Sequence, residues 1–298
     1  MKTSFVYGKV LLIGRPNVGK STFLNNLIGQ KVAITSPKPQ TTRFPIRALY
    51  QDRRGAIIFV DTPGIFGKAQ DALSKIINKK TLQTINEEVD AVIYMVDHTR
   101  RRDFEEAKVL GLVRKINKPK ILVINKIDVT DKQTYLPQYK FLEDEFDNVF
   151  QISALQQTHV KPLMSKIFEL LPTTGNQDEF KEKHNYPLLN IDSKIFIAEL
   201  IREKVYLMMG EEIPYTVTVI VDEIAERKKN NLTYIRARIL TTHDRYKRML
   251  IGAKGRKIKE IGSFARKEIS LAINRKVYLD LTVETDPHWQ EIYYAPSH

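Results

Sequence analysis

Gly14, Arg15, Pro16, Asn17, Val18, Gly19, Lys20 and Ser21 form a G-x-x-x-x-G-K-S run, with Thr22 following. The glycines permit turns at positive φ and let backbone N–H groups come close to oxyanions. Lys20 can neutralise the β- and γ-oxygens of a triphosphate, and the Ser21 hydroxyl can ligate Mg²⁺. A second element, Asp61-Thr62-Pro63-Gly64, offers a carboxylate to hold the ion through water and the Gly64 N–H to sense the γ-phosphate. The segment Ser36–Arg43 carries two hydroxyls for the same ion; Thr42 is the preferred ligand and Thr41 the alternative. The candidate magnesium ligands are thus Ser21, Thr42 and Asp61, and the candidate catalytic residues are Lys20, Asp61, Gly64 and Asn17.

Asn125-Lys126-Ile127-Asp128 supplies the complementary chemistry for a base. The Asp128 carboxylate can accept from guanine N1–H and the exocyclic amine together, a pair adenine lacks. A polar group left unpaired costs a few kcal/mol, about 1–3, so GTP and GDP are expected to be chosen over adenine nucleotides. The Lys126 stem can cover the base plane, and Asn125 can brace the phosphate loop. The backbone N–H groups of Ser153 and Ala154, within Ser153-Ala154-Leu155, can reach guanine O6.

Two further features bear on mechanism. Ile65 stands where Ras-like proteins have a water-orienting Gln, so slow intrinsic hydrolysis is expected. The Asn17 side-chain oxygen could hold K⁺ beside the phosphates, supplying charge where an arginine finger otherwise acts; the alternative is that Asn17 only braces the loop. Arg43 and the run Arg100-Arg101-Arg102 are read as solvated surface charge rather than as fingers.

The C-terminal third holds a different chemistry. The net charge is +13, and residues 233–276 carry 13 Lys or Arg against 3 acids, between acidic flanks. Such a stripe suits a polyanion. Within it lies Gly252-Ala253-Lys254-Gly255, a G-x-x-G between two basic helical stretches. Glycines let an RNA backbone approach; Arg256, Lys257 and Lys259 can meet phosphates, and an apolar groove starting at Ile251 can take splayed bases.

The elements that must position these residues are legible from periodicity. Lys9–Ile13, Ala56–Val60, Ala91–Val96, Lys120–Ile124 and Val149–Ile152 are short, Val/Ile-rich and non-alternating, as in strands covered on both faces. Helical patterns at Lys20–Ile28, Ala72–Asn86, Phe104–Ile116, Tyr135–Phe146 and Val160–Leu170 predict an α/β fold, a doubly wound, mostly parallel sheet. Arg43–Gln51 and the turn before Ala56 predict an antiparallel hairpin at the sheet edge. The predicted division is a nucleotide domain at 1–172, a polar linker at 173–190, an α-β-β-α-α-β domain at 191–286 and a tail at 287–298. The absence of Cys favours a reducing cytoplasm, and no run approaches the length of a membrane span.

G-R-P-N-V-G-K-S-T-F-L-N at Gly14–Asn25, a T-T-R switch, D-T-P-G before a hydrophobic residue, and I-G-A-K-G-R-K-I-K-E-I-G at Ile251–Gly262 resemble the Era family of bacterial ribosome-assembly GTPases. A second P-loop, or an N-terminal folate-binding domain with a C-terminal Cys, would be needed for its nearest relatives. The resemblance implies a P-loop NTPase domain followed by an α+β type II KH domain. It further implies binding of small-subunit ribosomal RNA near its 3′ end, on the small ribosomal subunit, under control of GTP state. Peripheral association with the inner membrane is implied by the resemblance alone, and the chain is expected to be a monomer. The competing reading is a signalling switch whose C-terminal domain binds a protein.

Overall fold

The computed structural model describes residues 5–36, 38, 42–65, 72–173, 193–210, 212–227 and 232–293. The chain separates into two compact units, Met1–Asn190 and Ile191–His298. The proposed linker falls, apart from Thr173, outside the described residues.

In the first unit β1 (Val6–Ile13), β3 (Gly55–Asp61), β4 (Ala91–Asp97), β5 (Lys120–Asn125) and β6 (Val149–Gln151) run parallel. The edge strand β2 (Ile46–Asp52) joins β3 antiparallel, so the order is β2-β3-β1-β4-β5-β6. Every residue of β3 and β4 is buried, as their unbroken apolar runs require of strands covered on both faces. The β2–β3 turn closes on Arg53-Arg54, and Gly55 fits because a Cβ there would run into the Val6 carbonyl of the neighbouring strand. Helices α1 (Lys20–Ile28), α2 (Ala72–Ile85) and α3 (Phe104–Lys115) lie in the connections between strands, and α4 (Val160–Leu170) follows β6, the last strand. Helix α3 is capped by Asp103, carries Glu105 and Glu106 in its first turn and Arg114 and Lys115 in its last, in accord with its dipole.

One predicted helix does not form. Tyr135–Phe146 folds as two short 3₁₀ turns, Leu136–Gln138 and Lys140–Asp144. Pro137 lacks an amide donor and its ring obstructs an α-helical start upstream. The Tyr135 N–H is held by the His98 carbonyl, and the following amides bond three residues back. This winding still buries Tyr139, Leu142 and Phe146.

The second unit runs α5 (Ser193–Met208), β7 (Val217–Arg227), β8 (Leu232–Thr241), α6 (Asp244–Ile251), α7 (Arg256–Ile273) and β9 (Lys276–Thr285). β8 is central, antiparallel to β7 and parallel to β9. The parallel pair requires a crossover, which α6 and α7 supply. Ile261, Ala265 and Ile269, at i, i+4 and i+8 of α7, are buried, as are Ile197, Leu200, Ile201 and Val205 of α5 and Ile235, Ala237 and Ile239 of β8. The unit's packing continues past residue 286, where the tail was expected to begin. Trp289, the only tryptophan, is fully buried and its indole N–H donates to the Thr216 carbonyl at 3.0 Å.

Leu122 lies fully buried in β5 against the core that includes Val92, Tyr94 and Phe146. Leu122→Ala is expected to cost about 2–5 kcal/mol, seen as a lower urea midpoint.

Candidate nucleotide and RNA sites

The phosphate loop turns from β1 into α1 with Asn17 at φ 64° and Gly19 at φ 107°. Helix α1 has no side-chain cap and no acidic residue in its first turn. Its leading N–H groups and positive dipole end are thus left for an external anion. A Cβ on Gly14 would strike the Met95 carbonyl, and one on Gly19 the Asn125 carboxamide. Gly64 lies against the loop itself, where a Cβ would come within 2.5 Å of the Pro16 nitrogen. Pro16 and Val18, within the loop, are buried, and Thr22 lies in the first turn of α1.

The three proposed magnesium ligands converge. The Ser21 hydroxyl donates to Asp61 Oδ2 at 2.7 Å and lies 3.2 Å from the Thr42 hydroxyl. Asp61 Oδ1 is buried with no hydrogen-bond partner, and burial raises the carboxyl above its usual range despite Lys20 and Ser21. Lys20 is also buried; burial lowers its amine, which donates to the Gly14 and Arg15 carbonyls at 3.1 Å each. Thr62 is tied to β1 through its hydroxyl, which donates to the Leu12 carbonyl at 2.8 Å. Thr41 lies outside the described residues.

Asn125 joins the phosphate and base elements. Its amide donates to the Val18 carbonyl at 2.8 Å, while its oxygen accepts from the Ala154 N–H at 2.8 Å. Lys126, at φ 72°, pairs with Asp97 at 2.6 Å. Burial acts to raise the Asp97 carboxyl, but Lys126 and Thr99 hold it below the usual range. Asp128 Oδ1 is buried without a partner. Ser153 is buried, its hydroxyl accepting from the Gln156 N–H at 2.9 Å.

The sequence reading missed several members of this assembly. Asn26 donates to the Ala154 and Leu155 carbonyls at 2.7 and 3.1 Å. His98 lies with Nε2 2.9 Å from the Lys126 carbonyl and Nδ1 3.1 Å from the Thr134 hydroxyl. Neither has a local spacing signal, since the partners are distant in the chain. Arg15 belongs to the motif through its backbone; its side chain is fully buried, 2.6 Å from Glu106 and 2.9 Å from Asp103. Two arginines depart from the expected solvated state: Arg43 is fully buried, and Arg100 donates to the Pro16 carbonyl at 2.8 Å.

In the second unit, Gly252 (φ 69°), Lys254 (φ 53°) and Gly255 (φ 73°) form the tight connection between α6 and α7. A Cβ on Gly252 would come within 2.7 Å of the Lys257 side chain. Ala253, Lys254, Arg256 and Lys259 are exposed; Ile251 is half-buried. Lys257 pairs with Glu260 at 3.0 Å, so its charge is shared within the helix. Met249 is exposed, and Leu250 rather than its neighbour packs α6. Part of the basic stripe is neutralised elsewhere: Arg238 binds Asp222 and Glu284, Arg236 binds Glu223, and Arg275 binds Glu226. The start of α7 has three cations, Arg256, Lys257 and Lys259, and no acid in its first turn. That arrangement opposes the helix dipole and is relieved by an anion.

Asn125→Ala would strand the Val18 carbonyl and the Ala154 N–H. The nucleotide-free protein is expected to lose roughly 1–3 kcal/mol per stranded group, read from its denaturation midpoint.

The profile of the 50S ribosome-binding GTPase family matches residues 9–126, and that of the KH domain matches residues 212–290. The chain is 41% identical to the GTPase Era of Halothermothrix orenii over 292 residues, covering 97% of this chain and 96% of that one. It is 39% identical to the GTPase Era of Carboxydothermus hydrogenoformans, covering 96% and 95%. An Aquifex aeolicus Era variant bound to GDP and AlF4⁻ superposes with a TM-score of 0.86 at 33% identity, covering 97% of both chains. Era in complex with MgGDPNP and nucleotides 1506–1542 of 16S ribosomal RNA superposes with a TM-score of 0.85 at 34% identity and the same coverage. With its phosphate, base and G-x-x-G elements all in place along a chain matched nearly end to end, the protein belongs to the Era family of GTPases.

Proposed function

We propose that this chain binds and hydrolyses GTP with Mg²⁺ and, through the G-x-x-G face of its second unit, binds small-subunit ribosomal RNA during assembly of the small ribosomal subunit. The observation that carries the nucleotide half is the buried, unpartnered Asp61 Oδ1 beside the Ser21 and Thr42 hydroxyls. A buried acceptor left unpaired is costly, and a hard cation with oxygen preference satisfies it. Bound magnesium would neutralise charge on the phosphate oxygens. Ser21, Thr42 and Asp61 would hold it, and Lys20 would exchange its loop carbonyls for β- and γ-oxygens. Backbone N–H groups of Gly14 to Ser21 line the cradle, with Thr22 behind them and the Gly64 N–H at the γ side. Hydrolysis breaks the bond between the γ-phosphorus and the β–γ bridging oxygen as water attacks in line.

Ile65 is 2% exposed and packed in the core with Ile58 and Val60, so the position after Gly64 presents no group to that water. A slow intrinsic rate follows. Asn17, held at positive φ in the loop, is proposed to bind K⁺ there; Asn17→Ala should abolish any excess of the rate in K⁺ over Na⁺, and equal wild-type rates in the two salts would remove the idea.

For the base, Asp128 would pair with guanine while Asn125, Lys126, Ser153 and Ala154 frame it. Asp128→Asn replaces an acceptor with an amide that suits a 2-oxo group. GTP affinity should fall by about two orders of magnitude or more, while XTP affinity rises, in a fluorescent-nucleotide competition assay.

For RNA, the relative bound to 16S ribosomal RNA nucleotides and the acid-free, cationic start of α7 favour a nucleic acid over a protein partner. Ile251 through Gly255, with Arg256, Lys257 and Lys259, would form the contact. A ribosome-assembly role carries a cytoplasmic location with it. Among the described residues no helix is long and apolar enough to cross a membrane, so contact with the inner membrane would be peripheral.

Co-sedimentation with purified small subunits tests the reading. Pelleting is expected with a non-hydrolysable GTP analogue and not with GDP. Gly252→Asp should abolish it, and because that change also strains the turn, Lys254→Ala/Arg256→Ala serves beside it. The double variant should reduce the slope of log affinity against log salt by about 1.4. Pelleting that ignores nucleotide, both glycine and cation substitutions would overturn the proposal.

A further inference from the structure

The loop after β4 touches the phosphate loop from both directions. Arg15 leaves the phosphate loop and donates from one guanidinium nitrogen to the Arg101 carbonyl at 3.2 Å and from another to the Tyr139 hydroxyl at 3.1 Å. Arg100 leaves the post-β4 loop and donates to the Pro16 carbonyl at 2.8 Å. Tyr139 closes the circuit, because its hydroxyl donates to the Arg100 carbonyl at 3.0 Å. Each loop therefore gives an arginine to the other's backbone, and one phenol serves both. Beneath them Glu106, fully buried, lies 2.6 Å from Arg15 and accepts from the Tyr94 hydroxyl at 2.6 Å.

Such a cluster is costly to bury unless it is mutually paired. Burial raises the Glu106 carboxyl and works against the Arg15 charge, yet Glu106, Tyr139 and Asp103 hold that charge in place. Nothing in the phosphate chemistry described above uses these groups. A cradle made of backbone N–H groups, on the other hand, keeps its shape only where side chains hold its carbonyls, as Asn125 holds that of Val18. Gly64 rests against the nitrogen and Cα of Pro16, so a shift of Pro16 would be felt at the γ-phosphate position.

We infer that Arg15 and Arg100, with Tyr139 and Glu106, form a reciprocal brace that sets the geometry of the phosphate loop, making Arg100 a positioning residue for diphosphate binding rather than a catalytic arginine. The inference rests on the GTPase reading above. A brace on the cradle acts on ground state and transition state alike. Its loss weakens GDP and GTP binding together and raises KM without lowering kcat. A residue that met developing charge on the transferring phosphoryl group would do the reverse.

The test compares wild type, Arg100→Ala, Arg100→Lys and Tyr139→Phe in fluorescent GDP binding, non-hydrolysable GTP analogue binding and steady-state hydrolysis. Arg100 is only half-buried, and Tyr139→Phe removes a single oxygen, so both should fold; thermal melts verify this. The expected result for Arg100→Ala is a loss of about tenfold in affinity for GDP and for the analogue alike, a matching rise in KM, and kcat within about twofold of wild type. Arg100→Lys should recover part of the affinity, and Tyr139→Phe should lose about threefold for both nucleotides. Unchanged affinities in folded Arg100→Ala and Tyr139→Phe would overturn the brace. So would a kcat about tenfold lower or more with GDP affinity retained, the signature of an arginine finger. Failure of the wild type to bind GDP would instead overturn the GTPase reading beneath it.

Discussion

A parallel sheet ends its strands in loops whose backbone groups have no neighbour to bond, and the first unit is organised around that constraint. One carboxamide, that of Asn125 at the end of β5, answers it for two loops at once by capturing a carbonyl of the phosphate loop and an N–H of the loop after β6. Gly19 has no side chain because that carboxamide occupies the space a Cβ would need. The phosphate and base elements, some 100 residues apart in the chain, thereby become one surface. The glycine spacing of the first motif and the asparagine of the third are two halves of a single packing solution.

Strain marks some of the same places. Of the non-glycine residues at positive φ among the described residues, Asn17, Lys126 and Lys254 each lie within a motif that suits anion or base chemistry, while Gln157, His159 and Asn274 lie outside them. Such conformations cost of order 1–3 kcal/mol and persist where surrounding contacts dictate them. In the second unit the counterpart is electrostatic: α7 begins with cations where α3 begins with acids, though both are ordinary amphipathic helices otherwise. The contrast within one chain separates a helix start that is complete from one that awaits a polyanion.

The strands and their alternation with helices were legible because runs such as Ala91–Val96 are apolar without interruption, and the α-β-β-α-α-β order of the second unit followed from its alternating and helical periods. Tyr135–Phe146 was misread because its apolar spacing satisfies a 3₁₀ winding as well as an α-helix, and Pro137 tips the balance. Trp289 was assigned to a tail because a lone aromatic after a proline carries no period. The short motifs announced their chemistry by spacing alone. Arg100, His98 and Asn26 did not, since a contact between residues 84 positions apart in the chain leaves no local trace. Arg43 shows the converse limit: an arginine in a polar stretch reads as solvated, although the fold buries it completely.

The position of β2 has a mechanical consequence. It is the edge of the sheet, bonded to β3 alone, and the segment bearing Thr42 runs directly into it. Rearrangement of that segment can therefore be absorbed by loosening the β2–β3 ladder from its outer end, while the five parallel strands that hold the other nucleotide-facing loops keep the hydrogen bonds among themselves.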